Sequence, residues 1–215
     1  MTDKAPIKVL LVEDHAIVRR GLKDLFGDAR DIEVVAEAAN GIEAMRAVRE
    51  HECQVVLLDI SLPDRNGIEV LKQIKKEKPG LAVLVLSMYP EKLYAIRALR
   101  AGAFGYLNKQ CAPQEITAAV RQIASGLKYI SPQLAQELAN QVGVDHDMPL
   151  HDTLSDREYQ TLTMIANGKT VSAIARELSL SVKTISEYRS RILVKMKLKN
   201  SAELTLYALQ NQLLE

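Results

Sequence analysis

The chain has 215 residues, 28 Lys and Arg against 27 Asp and Glu, and 47% hydrophobic residues. That length suits one large domain or two modest ones, and the charge balance excludes a highly charged disordered chain. Aromatics make up only 4% and Trp is absent, so the core must be aliphatic. No run of about 18 apolar residues occurs, so no membrane-spanning helix is expected. The N-terminal stretch MTDKAPIKVLLVEDH lacks the long apolar core of a secretory signal. Cys53 and Cys111 have no metal-binding spacing, and a reduced, cytoplasmic protein is the simplest expectation.

The first 125 residues alternate short apolar runs with amphipathic stretches. The runs, at 7–12, 32–36, 54–58, 81–86 and 103–107, are mostly apolar rather than alternating, as for strands buried on both faces. Between them lie helical patterns, among them Ile17, Val18, Leu22, Leu25 and Phe26, then Ile42, Met45 and Val48. Five β–α repeats predict a doubly wound parallel sheet. Residues 126–150 read as a linker with a short helix over 133–141, and 142–151 carries Gly143, Asp145, Asp147 and Pro149.

After Thr153 the strands stop. Ser155–Asp156–Arg157–Glu158 reads as a capping box opening a helix that ends near Asn167–Gly168. Helices over 171–178, 182–196 and 202–212 follow, so 151–215 reads as an all-α, four-helix domain. Within 183–199 lie six basic residues and one acidic one, a local charge hidden by the neutral total. Such a patch is either a nucleic-acid footprint or a solvated helix face.

Polar residues end four of the predicted strands. Glu13–Asp14 follow the first, Asp59 ends the third, Ser87 the fourth, and Lys109 follows the fifth. In an open α/β sheet the ligand site lies beyond the carboxyl ends of the strands, so these residues should converge. Three carboxylates need a cation between them, and oxygen ligands with retained water suit Mg²⁺. A hydroxyl and an ammonium would complement phosphoryl oxygens, so the chemistry implied is phosphoryl transfer onto a carboxylate, with Asp59 the expected acceptor.

Residues 6–125 resemble the receiver domain of two-component response regulators. The match rests on Glu13–Asp14, Asp59 with Pro63 and Gly67, Ser87, Tyr106 and Lys109. The resemblance implies strand order 2-1-3-4-5, with Asp59 taking a phosphoryl group from a sensor histidine kinase. It implies Mg²⁺ held by Glu13, Asp14, Asp59 and the Ser61 carbonyl. Ser87 and Lys109 would contact the phosphoryl group, and Tyr106 would change rotamer. Many receivers have proline directly after the lysine. Here the run is Lys109–Gln110–Cys111–Ala112–Pro113, and a trans Lys109–Gln110 bond is expected.

Residues 151–212 resemble the LuxR-type domain through Leu154, Arg157–Glu158, Gly168, Ile174–Ala175, Lys183–Thr184–Ile185 and Lys195–Met196. A scaffold helix, a turn and a basic helix make a helix-turn-helix, whose second helix suits the major groove. Lys183 and Thr184 are expected at phosphates. Ser186, Glu187 and Ser190 are expected to face the groove, with Arg189, Arg191 and Lys195 beside them. The pairing of the two domains resembles the NarL/FixJ regulators. It implies a DNA-binding transcription regulator rather than an enzyme, a homodimer when active, and contact with the transcription machinery but no membrane. The alternative is a DNA-binding regulator whose receiver responds to a ligand or partner instead of phosphate. The last helix, with Leu204, Tyr207, Ala208 and Leu206, carries more apolar surface than one packed face requires; it either closes the domain core or contributes the dimer contact.

Overall fold

A computed structural model describes residues 5–141 and 149–214. It divides into two compact units at Val142/Gly143. In the first unit, β1 (Ile7–Val12), β2 (Ile32–Ala38), β3 (Val55–Leu58), β4 (Ala82–Ser87) and β5 (Gly105–Asn108) form one parallel sheet of order β2-β1-β3-β4-β5. β3 and β4 are buried throughout because helices cover both faces. The edge strand β2 is mixed in burial, as one unpaired side allows.

Five helices follow the strands: α1 (Ala16–Asp28), α2 (Gly41–Glu50), α3 (Gly67–Glu77), α4 (Glu91–Arg100) and α5 (Pro113–Ala124). Asn40 caps α2 by accepting from the Glu43 N–H, and Asn66 caps α3 by accepting from the Ile68 N–H. One core layer joins Val9, Leu11, Leu57, Leu84 and Leu107 to Leu22 and Phe26 of α1 and Val120 and Ile123 of α5.

Two expected core residues face solvent. Ile17 is 89% exposed and Ile42 is 64% exposed. The inward stripe of α1 is set by Leu22 and Phe26, and that of α2 by Ala44, Met45, Ala47 and Val48, and neither Ile lies on that stripe.

The short helix near the end of the first unit, α6 (Pro132–Gln141), packs on α4. Ser131 Oγ accepts from the Leu134 N–H and donates to Glu91 Oε2 at 2.8 Å. Tyr129 extends the sheet edge, its N–H donating to the Phe104 carbonyl. Residues 142–148 of the expected linker lie outside the described residues. His151 sits in a 3-10 turn (Leu150–Thr153), its Nδ1 3.0 Å from the Tyr207 hydroxyl.

The second unit holds α7 (Asp156–Ala166), α8 (Val171–Glu177), α9 (Val182–Lys195) and α10 (Ser201–Gln210). Both halves of the capping box form at Ser155 and Glu158. Ile174, Ile185, Ile192, Leu204 and Ala208 are buried. α10 carries apolar residues on two sides. Leu204 and Ala208 belong to the domain core, while Leu206 and Leu209 are 54% and 61% exposed. Among the described residues no helix is long and apolar enough to cross a membrane.

Candidate functional site

The parallel register brings the strand ends together. Glu13 leaves β1 with its N–H on the Ala38 carbonyl, and Asp59 leaves β3 with its N–H on Val12. Lys109 follows β5 with its N–H on Ser87, the end of β4. From there the Lys109 side chain reaches across. Its Nζ lies 2.6 Å from Glu13 Oε2 and 2.8 Å from Asp59 Oδ2. The Lys109–Gln110 bond is trans, and the missing proline does not move the ammonium from the site.

Glu13 and Asp59 are both 2% exposed. Burial pushes the Asp59 carboxyl above its ordinary range, helped by the Glu13 charge and opposed by the Lys109 ammonium and the Ser61 amide. Burial by itself would lower the Lys109 ammonium, but Asp59 and Glu13 outweigh it and hold it above the usual lysine range.

Ligating atoms of Glu13, Asp14, His15 and Asp59 lie within 4.8 Å of one another. Asp59 Oδ1 is buried without a hydrogen-bond partner among the described residues. An oxygen-rich cluster with an orphaned buried carboxylate oxygen fits a hard divalent cation. Sequence reasoning missed His15, whose Nδ1 is 2.7 Å from Asp14 Oδ1 and 3.1 Å from Glu13 Oε1. Its place directly after the acidic pair was the available signal.

The loop after Asp59 is tightly packed. The Gly67 N–H donates to the Ile60 carbonyl, and a Cβ on Gly67 would lie 2.1 Å from the Asp59 carbonyl oxygen. Ser61 sits in this loop, bridged to Asn66.

Ser87 and Tyr106 are both fully buried. Ser87 Oγ accepts from the Tyr89 N–H, and the Tyr106 hydroxyl donates to the Tyr89 carbonyl at 2.7 Å. Burial drives the Tyr106 hydroxyl far above its ordinary range, so it stays a donor. Asn108 Nδ2, not singled out from sequence, donates to the same Tyr89 carbonyl at 3.2 Å. Two side chains on β5 therefore hold the segment between β4 and α4.

In the second unit, α8 and α9 pack through a tight turn where Ser179 takes a positive φ of 54°. Ser181 caps α9 by accepting from the Thr184 N–H, and its Oγ is 2.8 Å from Thr184 Oγ1. Lys183, Ser186, Glu187, Ser190 and Arg191 are exposed along α9. Arg191 lies 3.9 Å from Glu187 and 6.0 Å from the centre of the Tyr188 ring. The other two expected cations are engaged elsewhere. Arg189 Nε donates to Ser201 Oγ at 2.8 Å, and Lys195 Nζ lies 2.6 Å from Glu158 Oε2.

Comparison with known proteins agrees with both units. Residues 9–121 match the response regulator receiver domain, and residues 152–208 match the bacterial regulatory proteins of the luxR family. The response regulator GacA of Pseudomonas aeruginosa is 37% identical over 211 residues, covering 97% of this chain and 98% of GacA. RcsB of Salmonella enterica serovar Typhimurium, solved bound to the promoter rprA with the phosphomimetic BeF3⁻, aligns at TM-score 0.64 and 26% identity. That alignment covers 94% of this chain and 98% of RcsB. A structure of two RcsB dimers on two parallel DNAs aligns at TM-score 0.59 and 25% identity, covering 94% and 97%.

Proposed function

The chain belongs to the two-component response regulators of the NarL/FixJ type, which join a receiver to a LuxR-type DNA-binding domain, and on that premise we propose that Asp59 is its phosphoacceptor. The observation that carries the proposal is the Lys109 ammonium seated between Asp59 and Glu13 beside an unpartnered Asp59 oxygen. Asp59 attacks the phosphorus of a phosphohistidine on a sensor kinase. The new O–P bond forms as the N–P bond breaks, and the imidazole departs. Glu13, Asp14, Asp59 and the Ser61 carbonyl would hold Mg²⁺, which neutralises phosphoryl charge when bound. Lys109 then transfers its attraction from the carboxylate to a phosphoryl oxygen, and the Ser87 hydroxyl turns to donate to another. Ser87 Oγ now accepts from the Tyr89 N–H, so that turn takes away one contact of the segment that Tyr106 and Asn108 also hold.

The second unit binds DNA as a homodimer through α9. Lys183, Thr184 and Arg191 lie at phosphates, and Ser186, Glu187 and Ser190 face base edges. Arg189 and Lys195 act first as struts within the domain, given their bonds to Ser201 and Glu158. One recognition helix reads only a few base pairs, so two half-sites are needed, and the exposed Leu206 and Leu209 on α10 supply a contact between copies. The RcsB dimers on DNA support this arrangement. The protein acts in the cytoplasm, where its two free cysteines suit a reducing compartment, and on the transcription machinery rather than as an enzyme.

The test is intact-protein mass after incubation with Mg²⁺ and a small phosphodonor. Wild type should gain one phosphoryl group and Asp59→Asn none. DNA affinity should then rise in wild type alone. Equal phosphoryl gain in Asp59→Asn would move the acceptor elsewhere. Equal DNA affinity with and without phosphodonor would favour a receiver that responds to something other than phosphate.

A further inference from the structure

The segment between Asp59 and α3 carries Ser61, and it is held from two sides. On one side it meets Asp59 itself. The Gly67 N–H bonds the Ile60 carbonyl at 2.8 Å, and Gly67 lies so close to the Asp59 carbonyl that no Cβ fits. On the other side it meets the start of α2. The Asp64 carboxylate accepts from two consecutive backbone amides there, Oδ1 from the Gly41 N–H at 2.8 Å and Oδ2 from the Ile42 N–H at 3.0 Å. Gly41 permits the approach, since a Cβ there would lie 2.6 Å from the Arg65 side chain.

Asn40 already caps α2, accepting from the Glu43 N–H at 2.8 Å. The Asp64 contact therefore adds a second, long-range cap that ties the helix to a loop 22 residues further along the chain. A carboxylate bonded to two amides at a helix start gains from both hydrogen bonds and the helix dipole. α2 has its local cap in Asn40, and what the Asp64 contact adds is a fixed position for the loop.

We infer that Asp64 is a positioning residue of the phosphorylation site: by anchoring the Asp59–Gly67 segment on the α2 N-terminus it presets the Ser61 carbonyl for the divalent cation. The inference rests on the function proposed above. The mechanism is preorganisation. A ligand on a loop that must be ordered at the moment of binding costs affinity, and an outer contact that orders it beforehand removes that cost.

The experiment measures Mg²⁺ affinity by calorimetry and, separately, phosphorylation by a small phosphodonor across a Mg²⁺ titration, both on the full chain. Asp64→Ala should weaken Mg²⁺ binding about tenfold, the low end of what outer partners of metal sites carry. Its phosphorylation rate should return to near wild type at saturating Mg²⁺. Asp64→Asn keeps an oxygen acceptor and should lose no more than about threefold. Asp64→Ser, too short to span two amides, should behave like Asp64→Ala and stands in if the Ala variant does not fold. Asp31→Ala removes a bidentate contact to Arg121 remote from the site and should leave Mg²⁺ affinity unchanged. Unchanged Mg²⁺ affinity in the folded Asp64 variants, or a slower rate that saturating Mg²⁺ does not restore, overturns the role of Asp64 while leaving Asp59 as the acceptor. Absence of Mg²⁺-dependent phosphorylation in wild type overturns the underlying reading together with this one.

Discussion

Lys195 Nζ lies 2.6 Å from Glu158 Oε2, joining the last turn of α9 to the first turn of α7. Glu158 also accepts from the Ser155 N–H, so one carboxylate closes a capping box and receives a lysine 37 residues away. Burial alone would raise the Glu158 carboxyl. The Lys195 ammonium and the Ser155 bonds outweigh it and hold it below the usual glutamate range. The recognition helix is thus braced against the helix that opens its domain.

Lys195→Met should therefore act on stability before DNA affinity. A loss of about 1 kcal/mol is expected, at the low end for a charged hydrogen bond because Lys195 remains solvent-accessible. A carboxyl whose pKa is depressed by folding stabilises above its unfolded value, about 4.3, and that contribution fades as pH falls below it. Urea midpoints of wild type and variant should differ at pH 7 and converge in acid. A variant of unchanged midpoint but sharply weakened DNA binding would return Lys195 to the interface.

Lys109 balances two buried carboxylates, Glu13 and Asp59. Lys109→Met leaves both without that cation, and breaking a buried pair from one side costs about 3–5 kcal/mol. Added Mg²⁺ should restore part of the loss, because the divalent cation supplies the missing charge. Denaturant unfolding with and without Mg²⁺ checks this. A variant as stable as wild type in the absence of Mg²⁺ would contradict the electrostatic account.

Glycines 67 and 27 make a matched pair. At Gly67 an added Cβ strikes the Asp59 carbonyl oxygen and the Ile60 Cα, both backbone atoms that cannot step aside. Gly67→Ala should cost at least about 1–3 kcal/mol and slow phosphorylation, since relief of the clash must displace Asp59. Gly27 lies within α1 with nothing inside 4 Å of its added Cβ, so Gly27→Ala should stabilise by about 0.5–1 kcal/mol. Thermal unfolding of the two variants should move in opposite directions.

Two residues of α9 separate affinity from preference. Lys183→Ala should weaken binding to every sequence and lower the slope of log affinity on log salt by about 0.9, one phosphate contact. Glu187→Ala should leave that slope near its wild-type value and relax preference for cytosine at one position by about 1–3 kcal/mol. Binding curves over a salt series on a randomised site separate the two. Equal effects from both variants would contradict the division into phosphate and base contacts.

The polar strand ends were legible in the sequence because each follows an apolar run, and runs mark strands wherever both faces are buried. Glu13, Asp59, Ser87 and Lys109 could be named from their places after β1, β3, β4 and β5. The caps were legible too: Ser155 with Glu158 is a local pattern that forms as written. The sequence could not divide the apolar residues of the last helix between a core-facing and a partner-facing side, because hydrophobicity alone does not tell the two apart; Leu204 and Ala208 turn out to be buried in the core. Leu206 and Leu209 lie on the other side of the same helix.

Local residue pattern by itself determined the alternation of strands and helices, the all-α second half and the polar residues that end the strands, because periodicity and capping act within a few residues; the Ser61 ligand came only from family resemblance, and His15 was missed. Tertiary structure alone decided which cations and backbone amides meet which carboxylates. Lys109 spans 50 residues to reach Asp59, Asp64 spans 23 to reach Gly41, and Lys195 spans 37 to reach Glu158. Side-chain charges pair by distance in space, and that distance is set only when parallel register and helix packing bring remote strand and helix ends together.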